Sequence, residues 1–149
     1  MRIYLDACSL QRPLDDRSQP RINIEAEAVL TTLRLVESGD LKLFSSEALD
    51  FEIDRISNPY RKLQAARMLK LASDSIDMNE AIETIETQAG GLVTADIKPM
   101  DALHLASAAW KQVDYFCACD DRLLKKSASL TGLTLKVIPP LQLVAEVAP

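Results

Sequence analysis

The sequence predicts a single α/β domain in which a mainly parallel sheet lies between two layers of helices. Short apolar segments of strand length alternate along the chain with longer segments that have helical spacing. Because parallel strands need crossover connections, which are usually helices, this alternation predicts a three-layer α/β/α sandwich. The 149 residues and the hydrophobic content of 48% suit a core that needs no disulfide or structural metal. We therefore expect residues 1–149 to form one domain.

The first strand is expected over residues 3–5, an apolar run that ends at Asp6. In open α/β sheets, ligands bind at the carboxyl ends of strands, so Asp6 is placed at the edge that binds them. Residues 11–21, which include Pro13 and Pro20, predict a loop. Residues 22–38 have helical spacing, and Gly39 follows where a helix C-terminal residue belongs.

The middle of the chain predicts two strands and three helices. The expected elements are a strand over 41–44, helices over 47–57 and 60–72, a short strand near 76–78 and a helix over 80–89. Ser45 or Ser46 is placed to cap the first of these helices. The Gly90-Gly91 pair follows a helix, which favours a C-terminal cap over a phosphate-binding loop.

An unusual helix is expected over residues 99–110. Pro99 suits the first helical position, and Asp101 then lies in the first turn, where the helix dipole favours a carboxylate. Its body is apolar almost all round, which is typical of a helix enclosed by other elements. A strand over 115–119 follows and ends in Asp120, and then come a helix over 122–130, a strand over 134–138 and a helix over 141–147.

Charge and cysteine content restrict the possible functions. A net charge of -5 opposes nucleic-acid binding unless several acids converge on bound cations. Three cysteines and one histidine argue against a disulfide framework and a structural zinc site, so we expect buried free thiols in a reducing compartment. The N-terminus leaves no room for a signal peptide and no apolar run is long enough to span a membrane, which predicts a cytoplasmic protein.

Several acids are expected to meet at one edge of the sheet. Asp6 and Asp120 follow two strands, Asp101 begins the helix that leads into the second, and a fourth acid is expected from the helix after residues 41–44. Singly, each aspartate is explained as a strand-end cap, but their joint appearance favours a site. Gathered carboxylates repel unless a cation lies among them, and oxygen ligands favour Mg²⁺ or Mn²⁺, as one ion or two.

Four segments resemble the acidic blocks of the PIN-domain nucleases, in the order of that family. They are Leu5-Asp6, the acid after Ser46-Glu47-Ala48-Leu49, Asp101-Ala102-Leu103-His104-Leu105-Ala106 and Cys119-Asp120-Asp121-Arg122-Leu123. The resemblance runs from residue 1 to about residue 143. It implies a metal-dependent endoribonuclease that cleaves single-stranded RNA, and small members are commonly toxins of VapC-type toxin and antitoxin pairs. An antitoxin or a second copy in a homodimer is the expected protein partner. The apolar helices over residues 60–89 are a candidate surface, although packing in the core explains them equally well.

Carried over by position, the resemblance assigns Asp6, Glu52, Asp101 and Asp120 as metal-binding and catalytic residues. Glu52 is preferred to Glu47 because its apolar neighbours resemble the family pattern. At two other positions the chain departs from the family, which often has hydroxyl residues there. Ala7 and Ala118 occupy these positions, although Ser9 offers a replacement for one lost hydrogen bond.

Other residues near these acids keep two interpretations. His104 is expected to be buried or to form a supporting hydrogen bond rather than to transfer protons. Arg12, Arg17 and Arg21 are placed either to contact RNA phosphates or to lie in an ordinary solvated loop.

Two other functions compete with RNA cleavage. An impaired PIN module that binds RNA or an antitoxin without turnover is suggested by the two alanines. Phosphotransfer on Asp6 is disfavoured because Cys8 and Ile138 stand where such domains need an acid and a lysine.

Overall fold

The computed structural model describes residues 1–148, which are built around one five-stranded parallel sheet. Pro149, the last residue of the expected domain, lies outside the described residues. The strands are β1 (Arg2–Leu5), β2 (Lys42–Ser46), β3 (Asp74–Ile76), β4 (Tyr115–Cys117) and β5 (Lys136–Ile138). Their spatial order is β3-β2-β1-β4-β5, and every neighbouring pair is parallel.

Eight α-helices surround this sheet within residues 1–148. They are α1 (Ala7–Gln11), α2 (Pro20–Glu37), α3 (Glu47–Asp54), α4 (Pro59–Leu69), α5 (Ile82–Thr94), α6 (Pro99–Trp110), α7 (Asp121–Ala128) and α8 (Pro140–Val147). Successive residues of a strand face opposite sides of the sheet, and Ile3, Tyr4 and Leu5 are all fully buried. Both faces of β1 are therefore covered, which confirms the predicted α/β/α class.

The topology brings the carboxyl ends of β1 and β4 together. Leu5 pairs with Cys117, and the backbone N–H of Asp6 donates to the Cys117 carbonyl at 3.2 Å. The chain that leaves β1 at Asp6 and the chain that leaves β4 toward Asp120 therefore start from the same edge of the sheet. This is the arrangement that the acid-ended strands predicted.

The predicted loop over residues 11–21 is wrong in part. Helix α1 begins directly after Asp6, a 3-10 turn follows over Arg12–Leu14, and Pro20 is the first residue of α2. Asp6 caps α1, and Arg61 of α4 donates to the Leu14 carbonyl at 2.9 Å. These contacts order a segment whose two prolines alone suggested an irregular path.

The Gly90-Gly91 pair is not a helix end, because α5 continues through it to Thr94. Neither position needs glycine, since an added Cβ would meet nothing within 4 Å. The left-handed residue after α5 is instead Asp96, with φ of 72°. The backbone N–H of Ile97 donates to the Leu92 carbonyl at 3.0 Å there, as in other helix ends of this kind.

Other expected features agree closely with the structure. Gly39 adopts a φ of 85° after α2, and α6 has the predicted bounds with six of its twelve residues buried. All three cysteines are free thiols, but the expected burial holds only for Cys117 and Cys119, because Cys8 is exposed. The remaining helices and strands begin or end a few residues from their expected bounds. Among residues 1–148, no helix has both the length and the apolar character that crossing a membrane requires.

Candidate active site

Three aspartates lie at the starts of helices that leave or approach the carboxyl edge of the sheet. Asp6 accepts the backbone N–H of Ser9 at 2.8 Å and caps α1. Asp120 caps α7 in the same way through the backbone N–H of Arg122 at 2.8 Å. Asp101 lies in the first turn of α6. Asp6 and Asp120 are therefore helix caps, as one interpretation of the sequence expected. Each cap uses Oδ1, which leaves Oδ2 available to another ligand.

The carboxyl group of Asp6 is buried, with 4% of the residue exposed. Burial raises its pKa to about 6, against the lowering effect of the hydrogen bonds from Ser9 and of the nearby His104. The negative charge of Asp101 raises this pKa further. Asp6 thus lies close enough to Asp101 for the two carboxylates to repel each other. This repulsion and the burial of Asp6 make its ionisation less favourable than in water.

Asp101 is the electrostatic centre of the group. Partial burial is the main cause of its raised pKa, and the charges of Glu52 and Asp120 add to the effect. His104 and Lys98 act in the opposite direction. The pKa of Asp101 thus responds to Glu52 and Asp120, and Asp101 in turn raises the pKa of Asp6.

Glu52 is held by a buried chain of hydrogen bonds. Its Oε1 contacts Nε2 of His104, whose Nδ1 lies 2.5 Å from the Tyr4 hydroxyl. The Tyr4 hydroxyl also lies 2.6 Å from the hydroxyl of Ser46, which caps α3 by accepting the N–H of Leu49. His104 is fully buried and both of its ring nitrogens are engaged. This arrangement matches the expected supporting position of His104 rather than direct access to a substrate.

Glu47 lies in different surroundings from Glu52. Glu47 is exposed, and a hydrogen bond with Asp77 is the main cause of its raised pKa. Glu52, by contrast, contributes to the pKa of Asp101 through its charge. The geometry therefore supports Glu52 as the fourth acid of the group.

The three aspartates have no cationic partner of their own. None of Asp6, Asp101 and Asp120 forms an ion pair with a lysine or arginine among residues 1–148. The arginines of the 12–21 segment bind other acids instead. Arg12 pairs with Asp15, Arg17 with Glu27, and Arg21 with Glu25 and Asp121. The Arg12 side chain is 20% exposed and the Arg21 side chain 63%, so these arginines differ widely in their access to solvent.

The chemistry of this group fits a hard divalent cation. Carboxylate oxygens are the ligands that Mg²⁺ and Mn²⁺ prefer, and a nearby positive charge would relieve the unfavourable ionisation of Asp6 and Asp101. Asp101 and Asp120 line one cleft between α6 and α7. Within residues 1–148, however, no three His, Cys, Asp or Glu side chains are already gathered as a set of metal ligands. A cation would therefore have to draw the carboxylates together.

The two departures from the PIN pattern lie beside Asp6 and Asp120. Ala7 and Ala118 are both buried, and their methyl side chains offer the acids no hydroxyl group. The Ser9 hydroxyl donates to the Cys117 carbonyl at 3.0 Å, while its backbone N–H serves Asp6. Ser9 thus supplies Asp6 with a hydrogen bond from its backbone.

Solved structures share this architecture along nearly the whole chain. FitAB bound to an IR36 DNA fragment matches with a TM-score of 0.60 and 19% identity over 93% of this chain and 94% of that chain. VapBC2 from Rickettsia felis, bound to a DNA fragment from its promoter, matches with a TM-score of 0.61 and 10% identity over 93% and 98%. FitAcB from Neisseria gonorrhoeae matches with a TM-score of 0.57 and 18% identity over the same shares.

The matching chains are toxins with PIN domains from toxin and antitoxin complexes. This chain has the PIN-domain fold. The likeness that the acidic blocks predicted is thereby confirmed for the fold, whereas identities below 20% leave the activity open. No protein-family model and no curated protein matches the sequence.

The sequence did not reveal the partners of His104. Tyr4 lies 100 positions from His104 and Glu52 lies 52 positions from it. Each residue is ordinary in its own segment, since Tyr4 suits a buried strand and His104 suits one polar position on an enclosed helix. The hydrogen bonds exist only because β1, α3 and α6 pack together, so no local signal was present.

Proposed function

We propose that the chain is a metal-dependent endoribonuclease that hydrolyses phosphodiester bonds in single-stranded RNA, as the toxin of a toxin and antitoxin pair. The observation that carries this proposal is the group of three aspartates at the carboxyl edge of the sheet, which has no lysine or arginine partner among residues 1–148. The PIN fold and its toxin neighbours support the same proposal.

In this proposal Asp6, Glu52, Asp101 and Asp120 hold Mg²⁺ or Mn²⁺. When bound, the cation lowers the pKa of water and stabilises the charge that develops on the phosphate. Asp6 is ionised at neutral pH, because its pKa of about 6 lies below that pH. The rigid, enclosed α6 fixes the position of Asp101.

His104 acts in this scheme as a positioning residue. It holds Oε1 of Glu52, and the Tyr4 hydroxyl in turn fixes the orientation of the imidazole ring. Hydrogen bonds of this kind orient metal-ligating carboxylates in other proteins. The second oxygen of Glu52 is then free to face the acid group.

Cleavage of labelled single-stranded RNA tests the proposal directly. We expect cleavage with Mg²⁺ or Mn²⁺, and none with EDTA or with the Asp101→Asn variant. Glu47→Gln is the matched control, because it removes an exposed carboxylate from the other end of α3. Cleavage that survives in Asp101→Asn, or that continues in EDTA, would show that the proposed site is wrong.

A binding module without turnover is the second candidate function. The two buried alanines beside Asp6 and Asp120 favour it, as does the lack of a gathered set of three ligands among residues 1–148. The same assay separates the two functions, since this candidate predicts retention of RNA without cleavage at any metal concentration. Activity in the parent protein would exclude it.

We also propose that the protein binds an antitoxin and forms a homodimer in solution. We propose the cytoplasm as its location, because free thiols are stable in a reducing compartment. The neighbours come from toxin and antitoxin complexes. On α3 and α4, Phe51, Tyr60 and Leu63 are at least half exposed and offer an apolar surface. Light scattering of the purified chain tests the dimer, and co-purification with the product of an adjacent short gene tests the antitoxin.

A further inference from the structure

The cleft that Asp101 and Asp120 line has a basic wall. Lys98 precedes α6, and Arg122 and Lys126 lie one turn apart on α7. Lys98 is exposed and forms no ion pair within residues 1–148. The cleft lining holds three cations and three acids, Asp96, Asp101 and Asp120, so it is locally neutral in a chain of net charge -5.

Asp96 is the counter-charge for two of these cations. It contacts Lys126, and it lies 3.5 Å from Arg122, and both interactions lower its pKa. The side chains of Asp96 and Arg122 are 67% and 60% exposed. Ion pairs between exposed side chains are weak, so a phosphate group can compete with Asp96 for these cations.

We propose that Lys98, Arg122 and Lys126 bind the phosphates of single-stranded RNA and hold its backbone beside Asp101 and Asp120. This proposal rests on the proposed function and names where its substrate lies. The cations supply the affinity for phosphate that the acids cannot, and their position on one wall of the cleft brings the backbone to the acids. Their guanidinium and ammonium groups contact phosphate regardless of base, so the surface does not select sequence.

RNA binding is measured by fluorescence anisotropy in the Asp101→Asn background, which avoids cleavage during the titration. The probe is a short, labelled single-stranded RNA of mixed sequence, titrated in EDTA at several salt concentrations. Each phosphate contact contributes about 0.7 to the slope of log affinity against log salt for single strands. We expect the double variant Arg122→Ala, Lys126→Ala to bind more weakly and to lose about 1.4 from that slope.

The double variant Lys42→Ala, Lys136→Ala is the matched control. It removes the same charge, but both lysines begin strands and so lie at the opposite edge of the sheet. We expect its salt slope to equal that of the parent. An equal loss in both double variants would show that only total charge matters and would overturn the proposal.

Asp96→Asn tests the same surface in the opposite direction. Asparagine tolerates the left-handed conformation of Asp96 as well as aspartate does, so the turn after α5 is preserved. Removing this counter-charge frees Arg122 and Lys126, and we expect tighter RNA binding with a steeper salt slope. Unchanged or weaker binding would show that the two cations serve only to join α5 to α7.

Failure of this inference is distinguishable from failure of the proposed function. If the parent protein cleaves RNA while none of these variants changes RNA affinity, the phosphate surface is wrong and the nuclease assignment stands. If RNA binding changes as expected but the parent never cleaves, the surface stands and the nuclease assignment fails. An absence of measurable RNA binding would overturn the surface.

Discussion

Two groups of aspartates in this protein differ in their partners. Asp15 and Asp121 bind arginines, with Oδ1 of Asp15 2.7 Å from Arg61 and Oδ1 of Asp121 2.6 Å from Arg21. Asp6, Asp101 and Asp120 have no such partner among residues 1–148, although Asp6 is the most deeply buried of the five. The paired acids join elements of the fold, whereas the unpaired acids repel one another at the edge of the sheet.

This difference indicates what each group is for. Burying an unpaired carboxylate opposes folding, so a fold optimised for stability alone would remove it or supply a cation. Local violations of this kind concentrate at functional sites. This contrast supports the proposal that the unpaired acids, at some cost in stability, form a site for an external cation.

The largest expected effect separates two adjacent acids, Asp120 and Asp121. Asp120→Asn preserves the cap of α7, because asparagine accepts the same backbone hydrogen bonds, but it removes a charge from the acid edge. We expect RNA cleavage to fall at least about a hundredfold, since loss of a metal ligand costs more than loss of its support. Asp121→Asn should cleave as the parent does. Equal losses in both variants, measured as initial rates, would remove the distinction between the two groups.

The next effect is on stability and comes from the burial of Asp6. Its pKa is raised from 3.8 to about 6, so the folded state holds the proton more tightly than the unfolded state. This contribution to stability is fully present below pH 3.8 and is lost as the pH rises to about 6. The total loss is roughly 3 kcal/mol. In EDTA, Asp6→Asn should remove this loss and be more stable than the parent at neutral pH. Urea unfolding at several pH values measures it, and a less stable variant at neutral pH would contradict the argument.

A smaller effect is expected from Tyr4→Phe, which tests the support of Glu52. The substitution removes the hydroxyl that holds His104 and keeps the ring that stacks on Phe116, with centroids 5.1 Å apart. Loss of such a supporting hydrogen bond typically costs 10- to 100-fold, and we expect about tenfold in RNA cleavage. Metal affinity should weaken in parallel. If the variant loses stability but keeps both cleavage and metal affinity, the hydrogen-bond chain is purely structural.

The smallest effect is expected in the paired group, from Arg21→Ala. Its exposed guanidinium pairs with Asp121 at the surface, where such pairs contribute little to stability, and with Glu25, which keeps Arg12 as a second partner at 3.9 Å. Thermal unfolding should therefore shift only slightly, and RNA cleavage should be unchanged. A large loss of cleavage would mean that Arg21 contacts RNA, which was the other interpretation of the arginines in this segment.

The sequence predicted those parts of the fold that local chemistry determines. Helix α6 was predicted with its observed bounds because Pro99 marks its start and its apolar body requires enclosure. The Gly90-Gly91 pair misled because glycine permits a helix end without requiring one, and the left-handed residue is Asp96. Helix α1 was not predicted although Asp6 is a suitable cap, because the segment is short and Pro13 and Pro20 favour a loop.

For the site, the acids could be predicted from the sequence, but the side chains that contact them could not. Asp6 and Asp120 could be placed because each directly follows an apolar run of strand length. The hydrogen bonds of His104 and the cluster of Asp96 with Lys126 join segments far apart in the chain. Such contacts depend on how the helices pack against each other, which hydrophobic periodicity does not specify.

Direct measurement of divalent-cation binding tests the central claim that the unpaired acids hold a metal. Titration with Mn²⁺, followed by its electron paramagnetic resonance signal, should show binding to the parent and to Asp121→Asn, and none to Asp101→Asn. Saturation at about 100 times the dissociation constant should also stabilise the parent by about 2.7 kcal/mol if only the folded state binds. Equal Mn²⁺ binding by the parent and Asp101→Asn, or no binding by the parent, would contradict the account.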